Sequence, residues 1–108
     1  YGNTWTAKQA TRVATIAAGY ADGLFRVMGN SAIVYSGATP CPVVGRVSMD
    51  LIICDLKAIP QDEFPKEGDM VEVIGASQSL DDFARSAGTI SYEILTNLGR
   101  RYKRSIIE

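Results

Sequence analysis

The sequence contains no histidine, and only two of its 108 residues are cysteine. Without histidine the chain lacks the most frequent general base near neutral pH and the commonest zinc ligand. Cys41 and Cys54 are too few for a disulfide scaffold and form no CxxC pair, so we expect two reduced cysteines that pack in a core. No apolar run approaches the roughly 20 residues of a membrane span, and no signal peptide is visible. These absences predict a cytoplasmic protein with no membrane partner.

The net charge of −1 gives the chain no electrostatic footprint for nucleic acid or an anionic membrane, so neither is expected as a partner. The basic run at residues 100–104 (RRYKR) is the exception, and we interpret it as the solvated end of a strand. The length fits one domain with one core. Because the sequence lacks an initiator methionine, we expect it to be a piece of a longer protein.

Short segments of alternating or continuous apolar residues, separated by turn residues, predict a mainly β domain. The predicted strands are residues 11–18, 31–36, 43–47, 49–56, 70–75 and about 101–107, with Pro40 and Pro42 breaking the chain before the third. Two short helices are predicted at residues 80–87 and about 90–98, capped by Ser79 and Thr89 and ended by Gly88 and Gly99. The pattern is typical of a small β-barrel or Greek-key-like domain with two short helices near the C-terminus.

The residues alone give few indications of chemistry. The chain has five tyrosines, and a phenol serves as an acid or base when burial and a nearby cation suit it: Tyr1, Tyr20, Tyr35, Tyr92 and Tyr102. Within residues 45–50 (GRVSMD), Arg46 and Asp50 are compatible with a local ion pair and equally with a role in ligand binding. Ser48 has no histidine to activate it, and no phosphate-binding glycine loop or metal constellation is visible.

Four segments, in this order, resemble motifs of the alanine racemases. They are residues 1–6 (YGNTWT), residues 19–23 (GYADG) followed by Arg26, residues 45–50 (GRVSMD) and residues 89–93 (TISYE). Each motif is short, but four in the correct order and approximate spacing make a chance match improbable, and the resemblance covers essentially all 108 residues.

The resemblance implies a two-domain enzyme of which residues 1–108 are the C-terminal β domain. In this family an N-terminal (β/α)₈ barrel, absent from this chain, binds pyridoxal 5′-phosphate (PLP) through a lysine. The implied enzyme is a homodimer that interconverts L- and D-alanine and so provides D-alanine for peptidoglycan. Each active site combines the barrel of one subunit with the C-terminal domain of the other.

The resemblance also implies roles for individual residues. Tyr1 corresponds to the catalytic tyrosine that removes the α-proton of L-alanine and returns it in the reverse direction. Met49 corresponds to the residue whose backbone N–H binds the substrate carboxylate. Tyr92 corresponds to a tyrosine whose hydroxyl binds the PLP phosphate on the side of its own barrel. Four further residues correspond to those that line the active-site entrance: Tyr20, Arg26, Arg46 and Asp50.

Nothing in the chain resembles the family's lysine segment, VKANAYG, because the four lysines have different neighbours. We therefore expect the isolated chain to be inactive and to hold no PLP stably. Two alternatives stay open. One is a serine or broad-specificity racemase of the same fold, because part of the substrate pocket belongs to the barrel. The other is a non-catalytic β module that only binds or dimerises.

Overall fold

The computed structural model describes residues 2–106, and its centre is a four-stranded antiparallel sheet. The strands are β1 (Val13–Ile16), β2 (Ile33–Ser36), β3 (Thr39–Val44) and β4 (Ile52–Asp55). Their order in the sheet is β1-β4-β3-β2. Three strands consecutive in sequence are therefore neighbours, and β1 lies beside β4, which is the Greek-key arrangement. The prediction of a mainly β, Greek-key-like domain is confirmed.

The strand β3 contains two prolines, so the prediction that Pro40 and Pro42 break the chain before a strand is wrong. The backbone N–H of Val43 donates to the Ala32 carbonyl at 2.8 Å. Because backbone groups alternate in direction along a strand, Val43, Cys41 and Thr39 are the β3 residues whose N–H groups point toward β2. The prolines occupy the intervening positions, where their missing N–H groups would point away from β2. On that side β4 pairs only with Val43 and Val44, so the prolines cost the sheet no hydrogen bond to β4 either.

Two short helices follow the sheet in the chain, as predicted, although both are shorter. They are α1 (Leu80–Arg85) and α2 (Ser91–Thr96). Ser79 caps α1, because its hydroxyl oxygen accepts the Asp82 N–H at 3.1 Å. The predicted cap of the second helix is wrong: Ile90 is the capping residue, and the Thr89 hydroxyl donates to the Glu93 carboxylate at 2.6 Å. No helix within residues 2–106 has the length and hydropathy needed to cross a membrane.

Two of the predicted strands are not formed in the described range. Residues 70–75 contribute only one isolated bridge, between Tyr35 and Glu72, because the chain bends immediately after it. Residues 101–106 pair with no strand and are all exposed; only Arg101 and Tyr102 bind an irregular loop, which is described below. Three short 3₁₀ helices, Tyr20–Asp22, Arg26–Met28 and Gln61–Glu63, lie in the connections.

The core lies where the sheet, the loop after β1 and the two helices meet. Its largest buried side chains come from all three sources and include Val34, Val43 and Ile52 from the sheet, Leu24 and Met28 from the loop, and Phe83 and Ile94 from the helices. The burial of these side chains removes apolar surface from water and holds the helices and the loop against the sheet. Consequently, the loop after β1 is anchored although it has no regular strand structure.

Both cysteines are free and buried within this core, as the sequence predicts. Burial raises the thiol pKa of Cys54 from 9.0 to about 11, and the neighbouring Cys41 adds to the effect. Burial also raises the thiol pKa of Cys41. The reactive thiolate is therefore disfavoured at both positions.

We predict that both thiols resist a disulfide reagent such as Ellman's reagent at pH 8 in the folded chain. They should react rapidly once denaturant is added, because both accessibility and the thiolate population then return to ordinary values. A Ser105→Cys variant provides the control, since Ser105 is exposed and its thiol should react at once. Reaction of Cys41 or Cys54 in the folded chain at the rate of Cys at position 105 would contradict the buried placement.

Candidate functional site

Two of the four motif-bearing segments lie in direct contact. We call residues 19–23 the first loop and residues 45–51 the second loop. The N–H of Tyr20 donates to the Ser48 carbonyl at 3.0 Å, and the N–H of Ala21 donates to the Met49 carbonyl at 3.0 Å. Segments about 30 residues apart in sequence thus form one surface, on which the side chains of Tyr20 and Met49 are 42% and 54% exposed.

The contact between the loops requires glycine at position 19. A Cβ atom there would lie 2.3 Å from the Ser48 carbonyl oxygen and 2.4 Å from that of Met49. Both obstacles are backbone atoms, which cannot move aside as the end of a long side chain can. The backbone of Gly19 has a φ of −154°, a value open to any residue, so close approach and not conformation sets the requirement.

The first loop is closed by the side chain of Asp22. Its Oδ2 accepts the Gly19 N–H at 3.0 Å, and the Asp22 N–H in turn donates to the Gly19 carbonyl at 2.9 Å. Gly23 then continues the chain with a φ of +102°, a left-handed conformation that favours glycine. Asp22 is only 1% exposed, so the charge of its carboxylate must be balanced from within the protein.

A segment that the sequence analysis did not connect with the site provides this balance. The Arg101 Nε lies 2.9 Å from the Asp22 Oδ1, and the Arg101 Nη1 lies 3.3 Å from the Asp50 Oδ1. The Tyr102 hydroxyl donates to the Asp22 carbonyl at 2.6 Å. The interpretation of residues 100–104 as a solvated strand end is therefore wrong for Arg101 and Tyr102. The sequence did show an acidic residue, Asp22, inside a short loop bounded by glycines. It did not show that Arg101 is the partner of this carboxylate.

The surroundings of Tyr102 keep its hydroxyl protonated. Burial raises the pKa of the phenol above its ordinary value, the Asp22 carboxylate raises it further, and Arg101 lowers it in part. Because the protonated form is favoured, Tyr102 remains a hydrogen-bond donor to the first loop throughout the neutral range.

The tip of the second loop is a tight turn that exposes Met49 and Asp50. Leu51 supplies the carbonyl that closes it, which accepts the Ser48 N–H at 3.1 Å and the Ser48 hydroxyl at 2.7 Å. Of the two possibilities left open for Arg46 and Asp50, the local ion pair is not formed, because the Asp50 carboxylate pairs with Arg101. Ser48 thus has a structural role in the turn, in keeping with the absence of a base to activate it.

Arg46 lies against the N-terminal segment. A Cβ atom on Gly2 would be 2.9 Å from the Arg46 Nη1, so the guanidinium covers that glycine. Asn30 joins the same regions, because its Oδ1 accepts the Gly45 N–H at 2.7 Å and its Nδ2 donates to the Thr4 hydroxyl at 3.3 Å. The start of the first motif segment therefore lies beside the second loop. Tyr1, the predicted catalytic residue, is outside the described residues.

The other two predicted site residues stand apart from the two loops. Arg26 is exposed in the short helix Arg26–Met28, and no hydrogen bond or ion pair of its side chain occurs within residues 2–106. Tyr92 is 76% exposed on α2, in a shallow groove that Ile90 and Leu95 also line. The described contacts join neither residue to the loops. Within the same range, no group of three or more acidic, cysteine or histidine side chains could hold a metal ion.

Comparison with known proteins identifies the class to which this fold belongs. The family model described as alanine racemase, C-terminal domain, matches residues 1–106, so the chain belongs to that family. An alanine racemase of Cereibacter sphaeroides is 54% identical over 104 residues, which are 96% of this chain and 28% of that protein. A catabolic alanine racemase of Agrobacterium fabrum is 52% identical over all 108 residues, again 28% of its length.

Solved structures agree with this assignment. Alanine racemase from Bartonella henselae with covalently bound pyridoxal phosphate superposes with a TM-score of 0.92 at 43% identity, covering 99% of this chain and 29% of that one. The biosynthetic alanine racemase from Pseudomonas aeruginosa superposes with a TM-score of 0.81 at 39% identity, covering 96% and 29%. The chain thus spans less than a third of the length of these relatives.

We predict that Gly19→Ala separates the two loops and destabilises the fold. Gly37→Ala is the comparison: Gly37 has a φ of +59° and no atom within 4 Å of an added Cβ, so it should cost only about 1–2 kcal/mol of backbone strain. Gly19→Ala should cost more than this, because backbone atoms of Ser48 and Met49 must move. Urea denaturation measures both free energies of unfolding. An equal or smaller loss at Gly19 would contradict the close contact of the loops.

Proposed function

We propose that the chain is the C-terminal domain of a PLP-dependent racemase that interconverts L- and D-alanine. Membership of the family supports the reaction, as do relatives described as alanine racemases. The observation that carries the proposal is the direct packing of the first loop on the second, which makes one exposed surface of two motif segments. On this surface Tyr20, Met49 and Asp50 are exposed together, so their groups are accessible to a substrate.

Racemisation requires that a proton leave one face of the α-carbon and that another be delivered to the opposite face. PLP, when bound, withdraws electrons from the α-carbon and so makes loss of that proton feasible. Tyr1 is the proposed acid–base group for one face: it takes the proton of L-alanine and gives a proton back in the reverse direction. The group for the opposite face, a lysine, is expected from the barrel domain.

Met49 is the proposed ligand of the substrate carboxylate through its backbone. Its carbonyl accepts the Ala21 N–H, whereas its own N–H takes part in no hydrogen bond among residues 2–106. The residue is exposed at the tip of the second loop, so an anion can approach the turn in which this N–H lies. A hydrogen bond from an N–H to a carboxylate is stronger than one between neutral groups, and it would hold the amino acid in a fixed orientation.

Four exposed residues are proposed to line the entrance to this site: Tyr20, Arg26, Arg46 and Asp50. Tyr20 and Asp50 lie on the two loops, and Arg46 lies against the segment that leads to Tyr1. Two arginines near an entrance would attract an amino-acid carboxylate, while the bulk of the tyrosine would limit the size of what passes.

Tyr92 is the one residue of this chain that we propose to contact the cofactor. Its hydroxyl is exposed and makes no hydrogen bond within the described residues, so a donor suited to a phosphate oxygen is available. No described contact joins Tyr92 to the two loops, so the domain offers a second exposed surface around this side chain. We propose that one faces the barrel of the same subunit and the other faces the barrel of a partner, which requires a homodimer. The D-alanine would be formed in the cytoplasm and would be used for peptidoglycan.

We predict that Tyr1→Phe in the full-length enzyme lowers kcat for L-alanine by about 10²-fold or more, because the phenol proton is lost and the ring is kept. Racemisation of L-alanine, followed by the optical signal or by a D-amino-acid oxidase coupled assay, measures the change. Tyr35→Phe is the control, since Tyr35 lies on β2 away from the loops.

The same assay with L-serine and L-lysine distinguishes an alanine racemase from a broad-specificity enzyme. Unchanged turnover of Tyr1→Phe would show that the assigned acid–base residue is wrong. Absence of racemisation by the unmodified full-length protein would reject the proposed function itself.

A further inference from the structure

Gly99, Arg101 and Tyr102 contact the candidate site without belonging to either loop. Gly99 packs so closely on the first loop that an added Cβ would lie 2.3 Å from the Ala21 carbonyl oxygen. The Arg101 side chain reaches the carboxylates of both loops, Asp22 at 2.9 Å and Asp50 at 3.3 Å. The Tyr102 hydroxyl donates a hydrogen bond to the backbone carbonyl of Asp22. We call these three residues the brace.

We propose that Arg101, supported by Tyr102, is a positioning residue that sets the substrate-binding geometry of the two loops. The proposal rests on the proposed function, in which Met49 and Asp50 meet the substrate or its path. Arg101 acts through Asp22 and Asp50 and is not proposed to touch the substrate. Its role is therefore separate from that of the entrance arginines, Arg26 and Arg46.

The charge of the buried Asp22 makes Arg101 hard to replace. The side chain of Asp22 is 2% exposed, and its Oδ1 receives no hydrogen bond within the described residues. Nε of Arg101 is 2.9 Å from this oxygen, so the guanidinium supplies the charge that compensates the carboxylate. Loss of the cation would leave a desolvated carboxylate, and the first loop would have to open to hydrate it.

The second ion pair restricts a side chain that is otherwise mobile. Asp50 is 56% exposed at the tip of a turn, where solvent screening makes a single ion pair weak. Arg101 adds specificity, because one planar guanidinium contacts Asp22 through Nε and Asp50 through Nη1. A lysine has a single nitrogen and cannot reproduce both contacts in this geometry. The spacing between the two loops is thus linked to the planarity of one side chain.

The test uses the full-length enzyme with Arg101→Lys, which keeps the charge and removes the second contact. We expect KM for L-alanine to rise about threefold or more while kcat changes less than about twofold, because the groups that move protons are not displaced. Arg100→Lys is the matched control: Arg100 is exposed, and its side chain makes no ion pair within residues 2–106. Its KM should equal that of the unmodified enzyme.

A double-mutant cycle separates positioning from general destabilisation. Asp50→Asn should raise KM and leave kcat unchanged. The KM of the double variant Arg101→Lys/Asp50→Asn should not exceed that of the more affected single variant, because both changes break the same contact. Independent, multiplying effects on KM would overturn the link between the residues. Tyr102→Phe is the second variant, and it should raise KM in the same direction with Arg101 intact; it serves even if Arg101→Lys folds poorly.

Active unmodified enzyme together with an unchanged KM in Arg101→Lys and Tyr102→Phe would overturn the positioning role while leaving the proposed function in place. A fall in kcat alone, with KM constant, would also overturn it. An unmodified enzyme that does not racemise alanine would reject the proposed function, and the role of the brace with it.

Discussion

The carboxylate of Asp22 is the group on which the arrangement of the loops depends. It lies almost entirely out of water, a position that costs several kcal/mol for an ion unless partners replace its hydration. Gly19 provides a hydrogen bond from the adjacent backbone, and Arg101 provides a charge from 79 positions along the chain. Because both partners are needed, the shape of the first loop and the position of the brace are determined together.

Close backbone contacts complete what the charges begin. Gly19 lets the first loop touch the second, and Gly99 lets the brace touch the first loop from another side. Neither position has room for a β-carbon, so three segments distant in sequence are stacked at backbone distance. Electrostatic attraction alone would tolerate variation in the distances between these segments, whereas the contacts between backbone atoms do not.

The sequence was sufficient for features with local causes. Apolar patterning located β1, β2 and β4, Ser79 located the start of α1, and the four motif segments identified the family that the comparisons confirm. It failed where a distant partner decides the outcome. The prolines of β3 are tolerated because, at their positions, the backbone nitrogen points toward an edge of the strand that has no partner. Residues 101–106 look like a strand but pair with none; instead, Arg101 and Tyr102 bind the first loop. The pairing of Asp50 with Arg101 instead of Arg46 is likewise invisible until the fold brings them together. The roles of the individual site residues stay predictions.

The Greek-key order of the sheet has a consequence for how the site is assembled in time. β1, which precedes the first loop, pairs only with β4, and the paired residues of these two strands are about 40 positions apart in the chain. The ion pair of Arg101 with Asp22 spans almost twice that separation. Contacts between distant residues form slowly, because a long stretch of chain must be confined before they stabilise anything. We therefore expect the loops to reach their working geometry late in folding, after the local pairing of β2 with β3.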